Sequence, residues 1–71
     1  MKLSAAEEGK EYIIKQLETD DEELDAFLFS LGCYSGEPIT VIKKRRSVSV
    51  IAVKDGRYCI DRNLAEDIEI A

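Results

Sequence analysis

One short stretch limits this chain more than any other: the twelve residues Leu31-Gly32-Cys33-Tyr34-Ser35-Gly36-Glu37-Pro38-Ile39-Thr40-Val41-Ile42. A helix must stop there and a sheet must begin. Gly32 follows an apolar stripe of helical period, where a glycine can take positive φ and close the last helical turn without a Cβ clash. Gly36 and Pro38 mark a turn. Ile39, Val41 and Ile42 then open a β-branched run that suits a strand.

On either side of this joint the pattern is equally terse. Residues 1–8 read as a loosely ordered lead with Leu3 pinned to the core. Gly9 to Leu17, with Tyr12, Ile13 and Ile14, reads as a strand, although so short a run does not exclude a helix by periodicity. Asp20 followed by Glu23 has the form of a capping box. Leu24, Phe27, Leu28 and Leu31 fall on one face of the helix that it starts, and the sheet is expected to cover that face. Strands are expected at about Pro38–Lys44, Ser47–Lys54 and Arg57–Asp61, a helical turn at Asn63–Asp67, and a closing strand at Ile68–Ile70. Asp55-Gly56 is the strongest hairpin signal, because a type I′ turn needs positive φ at both central residues. The fold class is therefore mainly β (α+β by count): a small Src-homology-3 (SH3)-like barrel of about five strands with one amphipathic α-helix, a single domain over residues 1–71.

Composition removes several function classes. A 71-residue chain with 45% hydrophobic and 35% charged residues can make one small core. No apolar run approaches the roughly 20 residues of a membrane-spanning helix, and charges at Glu7, Glu8, Lys10 and Glu11 interrupt any signal-like segment. A cytoplasmic protein, peripheral to a membrane at most, is expected. There is no histidine, which removes the commonest general base and transition-metal ligand. Ser30, Ser35, Ser47 and Ser49 have nothing to activate them, so a non-enzymatic role is expected. A net charge of −5 argues against a general nucleic-acid binder. Residues 43–62 nevertheless hold seven basic side chains against two acidic ones.

Leu31-Gly32, Gly36 and Ile39-Thr40-Val41-Ile42, followed by Val48 to Val53, Gly56, Tyr58-Cys59-Ile60, Ala65 and Ile68-Glu69-Ile70, together resemble the bacterial ferrous iron transport protein A (FeoA) family. Upstream, Leu3, Gly9, Ile14 and Leu17 fit that family's first strand. The resemblance departs at Ser35, where the family often has proline, and at Cys33 and Cys59, where it places apolar residues. It implies the same SH3-like fold, with the helix packed across the barrel. By function it implies a small cytoplasmic adaptor or regulator of ferrous iron (Fe2+) uptake, acting by contact with the cytoplasmic GTP-binding domain or the membrane part of the transporter FeoB. Rival readings are a nucleic-acid-binding SH3-like module and an iron chaperone that uses the cysteines.

Candidate sites follow from residue chemistry. Lys43-Lys44-Arg45-Arg46, expected at the tip between the second and third strands, suits an acidic partner, anionic lipid headgroups or RNA phosphates; the bland alternative is a solvated tip whose charges guard against edge pairing. Tyr34 and Tyr58 suit a groove for an extended peptide, or plain half-buried packing. Cys33 and Cys59 offer two thiolates for weak Fe2+ binding, a poor site without further ligands, and otherwise behave as small hydrophobes. Asp20 to Glu23 reads better as a helix start than as a hard-cation cluster. Gly32, Gly36, Asp55 and Gly56 are the structural turns, and no resident cofactor is expected.

Overall fold

The computed structural model describes all residues from Met1 to Ala71. After a 3-10 turn at Leu3–Ala5, strand β1 spans Glu11–Leu17 and helix α1 spans Glu22–Leu31. Strands β2 (Pro38–Lys44), β3 (Val48–Val53) and β4 (Gly56–Asp61) follow, then the short helix α2 (Arg62–Ala65) and strand β5 (Ile68–Ile70). All strand pairs are antiparallel in the order β4-β3-β2-β1-β5. The result is a small SH3-like barrel. None of its helices is long and apolar enough to cross a membrane.

Two bulges curl the sheet. The first half of β1 pairs with β2 (Glu11 opposite Thr40), and its second half pairs with β5 (Leu17 opposite Ile68), with a register shift between Ile14 and Gln16. A bulge bends its strand and sharpens the twist, so one strand serves two sheet halves. A second shift falls between Val41 and Lys43. Before it, alternation turns Ile39 and Val41 into the core, while Ile42, the third member of the β-branched run, falls on the other face at the bulge and is exposed.

Alternation along the strands fills the interior. Tyr12 and Ile14 of β1, Ile39 and Val41 of β2, Ile51 and Val53 of β3, Ile60 of β4 and Ile68 and Ile70 of β5 form one cluster with Leu3, Ala6, Leu28, Cys33, Leu64 and Ala65.

Several expectations need correction. The first eight residues are not a loose lead. Leu3 and Ala6 are fully buried, and Ile70 donates its N–H to the Met1 carbonyl at 2.7 Å. Lys2 bridges to Glu69, and its ammonium pairs with Glu18 and Glu69. The open side of β5 thus gains a covering segment. Asp21, not Asp20, caps α1: its Oδ1 accepts from Glu23 N–H at 2.9 Å and Leu24 N–H at 3.3 Å, while Thr19 Oγ1 accepts from Asp21 N–H at 3.1 Å.

The sheet does not cover the whole apolar face of α1. Leu28 is fully buried, Leu31 is half-buried, and Leu24, Phe27 and Phe29 are exposed. The β3–β4 loop consists of Lys54 and Asp55, flanked by the pair Val53 and Gly56. Lys54 (φ 54°) is the only non-glycine residue with positive φ, and Gly56 lies in β4 without it. Gly56 has a different reason to lack a side chain. The Tyr58 ring folds over it, so that any Cβ there would collide with the phenol, with Cε2 at 2.7 Å.

Candidate functional site

The end of α1 lies against the β3–β4 turn, and the space between them is a groove. Gly32 ends the helix at φ 101°, ψ 10°, and Cys33 N–H reaches back to the Leu28 carbonyl at 2.9 Å. The following loop is tied to β1, because Gly36 donates to the Ile14 carbonyl at 2.8 Å and Ile14 donates to the Glu37 carbonyl at 2.9 Å. These bonds fix Tyr34 beside the helix end. Its ring meets that of Phe29 with centroids 4.9 Å apart and planes tilted by 36°, a geometry that aromatic pairs favour.

Lys54 closes this side of the groove. Its ammonium pairs with the Glu37 carboxylate and lies 5.0 Å from the centre of the Tyr34 ring, within cation–π range. The Glu37 carboxylate, with help from Tyr34, holds the Lys54 ammonium above the usual lysine range. In return Lys54 holds the Glu37 carboxyl below its ordinary value. Phe29, Leu31, Tyr34, Lys54, Gly56 and Tyr58 line an open groove of about 630 Å³. Apolar walls with one fixed cation suit a side chain or an extended segment of another macromolecule.

The basic stretch lies elsewhere. Lys43 and Lys44 belong to β2 beyond its bulge, so only Arg45 and Arg46 occupy the turn to β3. Lys44 is not free: its N–H donates to Glu8 Oε2 at 2.6 Å and its Nζ to the Ser4 carbonyl at 3.3 Å. Arg45 N–H returns to the Val48 carbonyl at 2.8 Å. Lys44 and Arg45, with Ser4, Ser49 and Arg62, line a small polar depression of about 120 Å³ that shares no residue with the aromatic groove. The structure therefore brings Tyr34 and Tyr58 to one surface and leaves Lys43 to Arg46 on another.

The two thiols also part company. Cys33 is fully buried and Cys59 exposed. Burial pushes the Cys33 thiol up to about 11. Cys59 points outward from β4, between the inward residues Tyr58 and Ile60. Sequence reasoning missed Phe29 and Lys54. Phe29 carried a signal, since it is an aromatic residue lying off the apolar stripe of its helix.

A family model described as FeoA domain matches residues 1–71. No curated protein matches the chain. Among solved structures, iron(II) transport protein A from Clostridium thermocellum is 28% identical over 99% of this chain and 44% of its own, with a TM-score of 0.88. The FeoA of Stenotrophomonas maltophilia, a zinc complex described as a prokaryotic SH3 domain protein, is 16% identical over 100% of this chain and 89% of its own, also at 0.88. A manganese-dependent transcriptional repressor shares the fold at a TM-score of 0.86 and 16% identity, over 96% of this chain and 39% of its own. With the family model matched from the first residue to the last, the chain belongs to the FeoA family of ferrous iron transport-associated proteins.

Proposed function

We propose that this domain is a non-enzymatic adaptor of ferrous iron uptake that works by binding a FeoB-type membrane transporter on its cytoplasmic side. The observation that carries the reading is the aromatic groove between α1 and the β3–β4 turn, preformed and open, on a domain of this family. A ferrous iron transport activating role has been suggested for the Stenotrophomonas maltophilia relative. Such a module adds no chemistry. It shifts its partner's equilibrium by binding one conformation or assembly more tightly than another. Phe29, Tyr34 and Tyr58 would supply the apolar contact, and Lys43, Lys44, Arg45 and Arg46 a second, charge-steered one on the neighbouring surface. Iron enters this reading as the transporter's cargo.

The test is an NMR titration of isotope-labelled domain with the GTP-binding domain of its cognate transporter, in GDP-bound and GTP-like states. Amide shifts clustered at Phe29 to Gly36 and Lys54 to Tyr58 support the groove. Shifts confined to Lys43 to Arg46 move the contact to the basic surface. An unchanged spectrum with both the GTP-binding domain and the detergent-solubilised full transporter overturns the adaptor reading.

A further inference from the structure

The two edges of the sheet are treated differently. Along β5, Met1 and Lys2 cover the side away from β1. Along β4, no strand lies beyond. The register identifies which backbone groups remain open there. Val53 and Gly56 flank the two-residue loop, and Arg62 N–H donates to the Ser47 carbonyl at 2.9 Å. Between those fixed ends, bonded positions alternate along the ladder. Gly56, Tyr58 and Ile60 thus point their N–H and C=O groups at β3. Arg57 and Cys59 point theirs at the open edge, and so does Asp61 with its N–H, whereas the Asp61 carbonyl already accepts the first bond of α2 and keeps one lone pair. The same three residues are exposed, with side chains on the outer face.

We propose that this edge pairs with the same edge of a second copy, antiparallel, about a two-fold axis at Cys59. That register places Cys59 opposite Cys59 of the other copy and Arg57 opposite its Asp61, and the symmetry repeats the Arg57–Asp61 pair on the far side. The central Cys59 pair exchanges both hydrogen bonds through free groups, and each Arg57–Asp61 pair does so with the Asp61 carbonyl shared between the incoming Arg57 N–H and α2.

The neighbouring registers of the same parity are worse. Shifting one way sets Asp55 opposite Asp61, and a further step sets Arg57 opposite Arg57. Shifting the other way separates the opposite charges and then sets Asp61 against Asp61. Opposite charges across a ladder stabilise it and like charges oppose it, so this edge selects one self-complementary register. Asp61 keeps one carboxylate oxygen free for such a pair. Its Oδ1 accepts from Leu64 N–H at 2.8 Å as the cap of α2, and Oδ2 has no partner within the chain. An isologous contact of this kind closes at two copies instead of growing a fibre.

Sedimentation equilibrium of the whole chain up to about 1 mM tests the assembly, and amide exchange tests its location. The expected result is a concentration-dependent dimer in which the amide protons of Arg57, Cys59 and Asp61 become protected as concentration rises. Arg57→Glu sets a carboxylate opposite Asp61 twice over, and the association constant should fall about tenfold. Asp61→Asn, which keeps a capping acceptor for α2, should weaken the dimer in the same direction.

Cys59 is an independent reporter. Residues opposite one another in a bonded antiparallel pair have Cα atoms about 5.5 Å apart, within disulfide reach. With diamide as oxidant, the two Cys59 thiols surrender two electrons and two protons to the diamide nitrogens as the S–S bond forms. The wild type should give a reducible covalent dimer, Arg57→Glu about tenfold less of it at equal time, and Cys59→Ser none, while Cys59→Ser still sediments as a dimer. A monomer at every concentration overturns the proposal. So does a dimer whose protected amides lie outside β4, or cross-linking indifferent to Arg57→Glu.

Discussion

The Lys54 side chain lies across the face of Gly32, and a Cβ built on that glycine would sit 2.6 Å from Lys54 Cγ. A residue of the β3–β4 turn thus forbids a side chain at the helix end, and the bare glycine in turn gives the lysine its path to Glu37 and Tyr34. Gly32→Ala meets both this contact and the backbone at φ 101°, where a side chain is strained. It should lower stability by about 2 kcal/mol in urea unfolding. In a Lys54→Ala background the loss should be smaller, because only the backbone part remains. Equal losses in both backgrounds would show that the contact has no energetic weight.

Leu28 is the only fully buried residue of α1. Leu28→Ala should cost about 3 kcal/mol and loosen α1 more than the sheet, read as amide exchange that accelerates in Glu22–Leu31 first. Leu24→Ala, on the exposed part of the stripe, should stay within about 0.5 kcal/mol of wild type.

The Lys54–Glu37 pair has a defined pH window. Glu37 titrates below its ordinary value because of Lys54, so its contribution is present above the unfolded carboxylate range, about 4.3, and fades as pH falls through the folded value. Lys54 titrates above its ordinary value because of Glu37. Its contribution is present below about 10.4 and fades as pH rises through the folded value. Glu37→Gln should therefore lower the melting temperature most between about pH 5 and 10, with the gap to wild type closing at acid pH and in high salt. A gap that is the same at acid and neutral pH would mean that packing, not charge, makes the contribution.

Thiol chemistry should separate the two cysteines cleanly. With its thiol pushed up to about 11, buried Cys33 holds roughly one thiolate in a thousand at pH 8, and the core shields it as well. Titration of the native protein with a disulfide reagent should label Cys59 at once and Cys33 only on unfolding. Rapid labelling of both would reveal an opening of the α1–β2 joint that the packing around Leu28 does not lead one to expect.

The β framework was legible because short strands announce themselves through β-branched alternation and tight turns: Pro38–Lys44 and Ile68–Ile70 lie where the residues alone put them. What local pattern does not carry is tertiary choice. The caps Asp20 and Asp21 are equivalent until Thr19 settles the turn. Gly56 looks like a turn glycine until the Tyr58 ring is seen to need its space, and the positive φ then falls to Lys54. The apolar stripe of α1 correctly gave a helix but overstated its burial, since periodicity reports a face without saying whether this chain or another covers it. Tyr34 and Tyr58 were visible as surface aromatics. Their convergence with Phe29 and Lys54 needed the joint and the hairpin to be set side by side.

That uncovered face gives the sharpest test of function. Phe29 is 62% exposed and packs mainly on the Tyr34 ring, so Phe29→Ala should lower the melting temperature only by the loss of that ring pair. Tyr34 lies between Phe29 and Lys54, and Tyr34→Ala should lower it more, because a ring pair and a cation–π contact are both lost. If the groove seats the transporter, both variants should bind its GTP-binding domain or the full transporter about 30-fold more weakly, the loss expected on removing a central aromatic anchor. Reversing Arg45 and Arg46 to glutamate should act differently, slowing association and flattening its salt dependence with little change in dissociation, as charges at an interface rim do. Isothermal titration and stopped-flow binding separate the two. Affinity that survives Phe29→Ala and collapses with the charge reversals would place the contact on the basic surface, and leave the groove for another occupant.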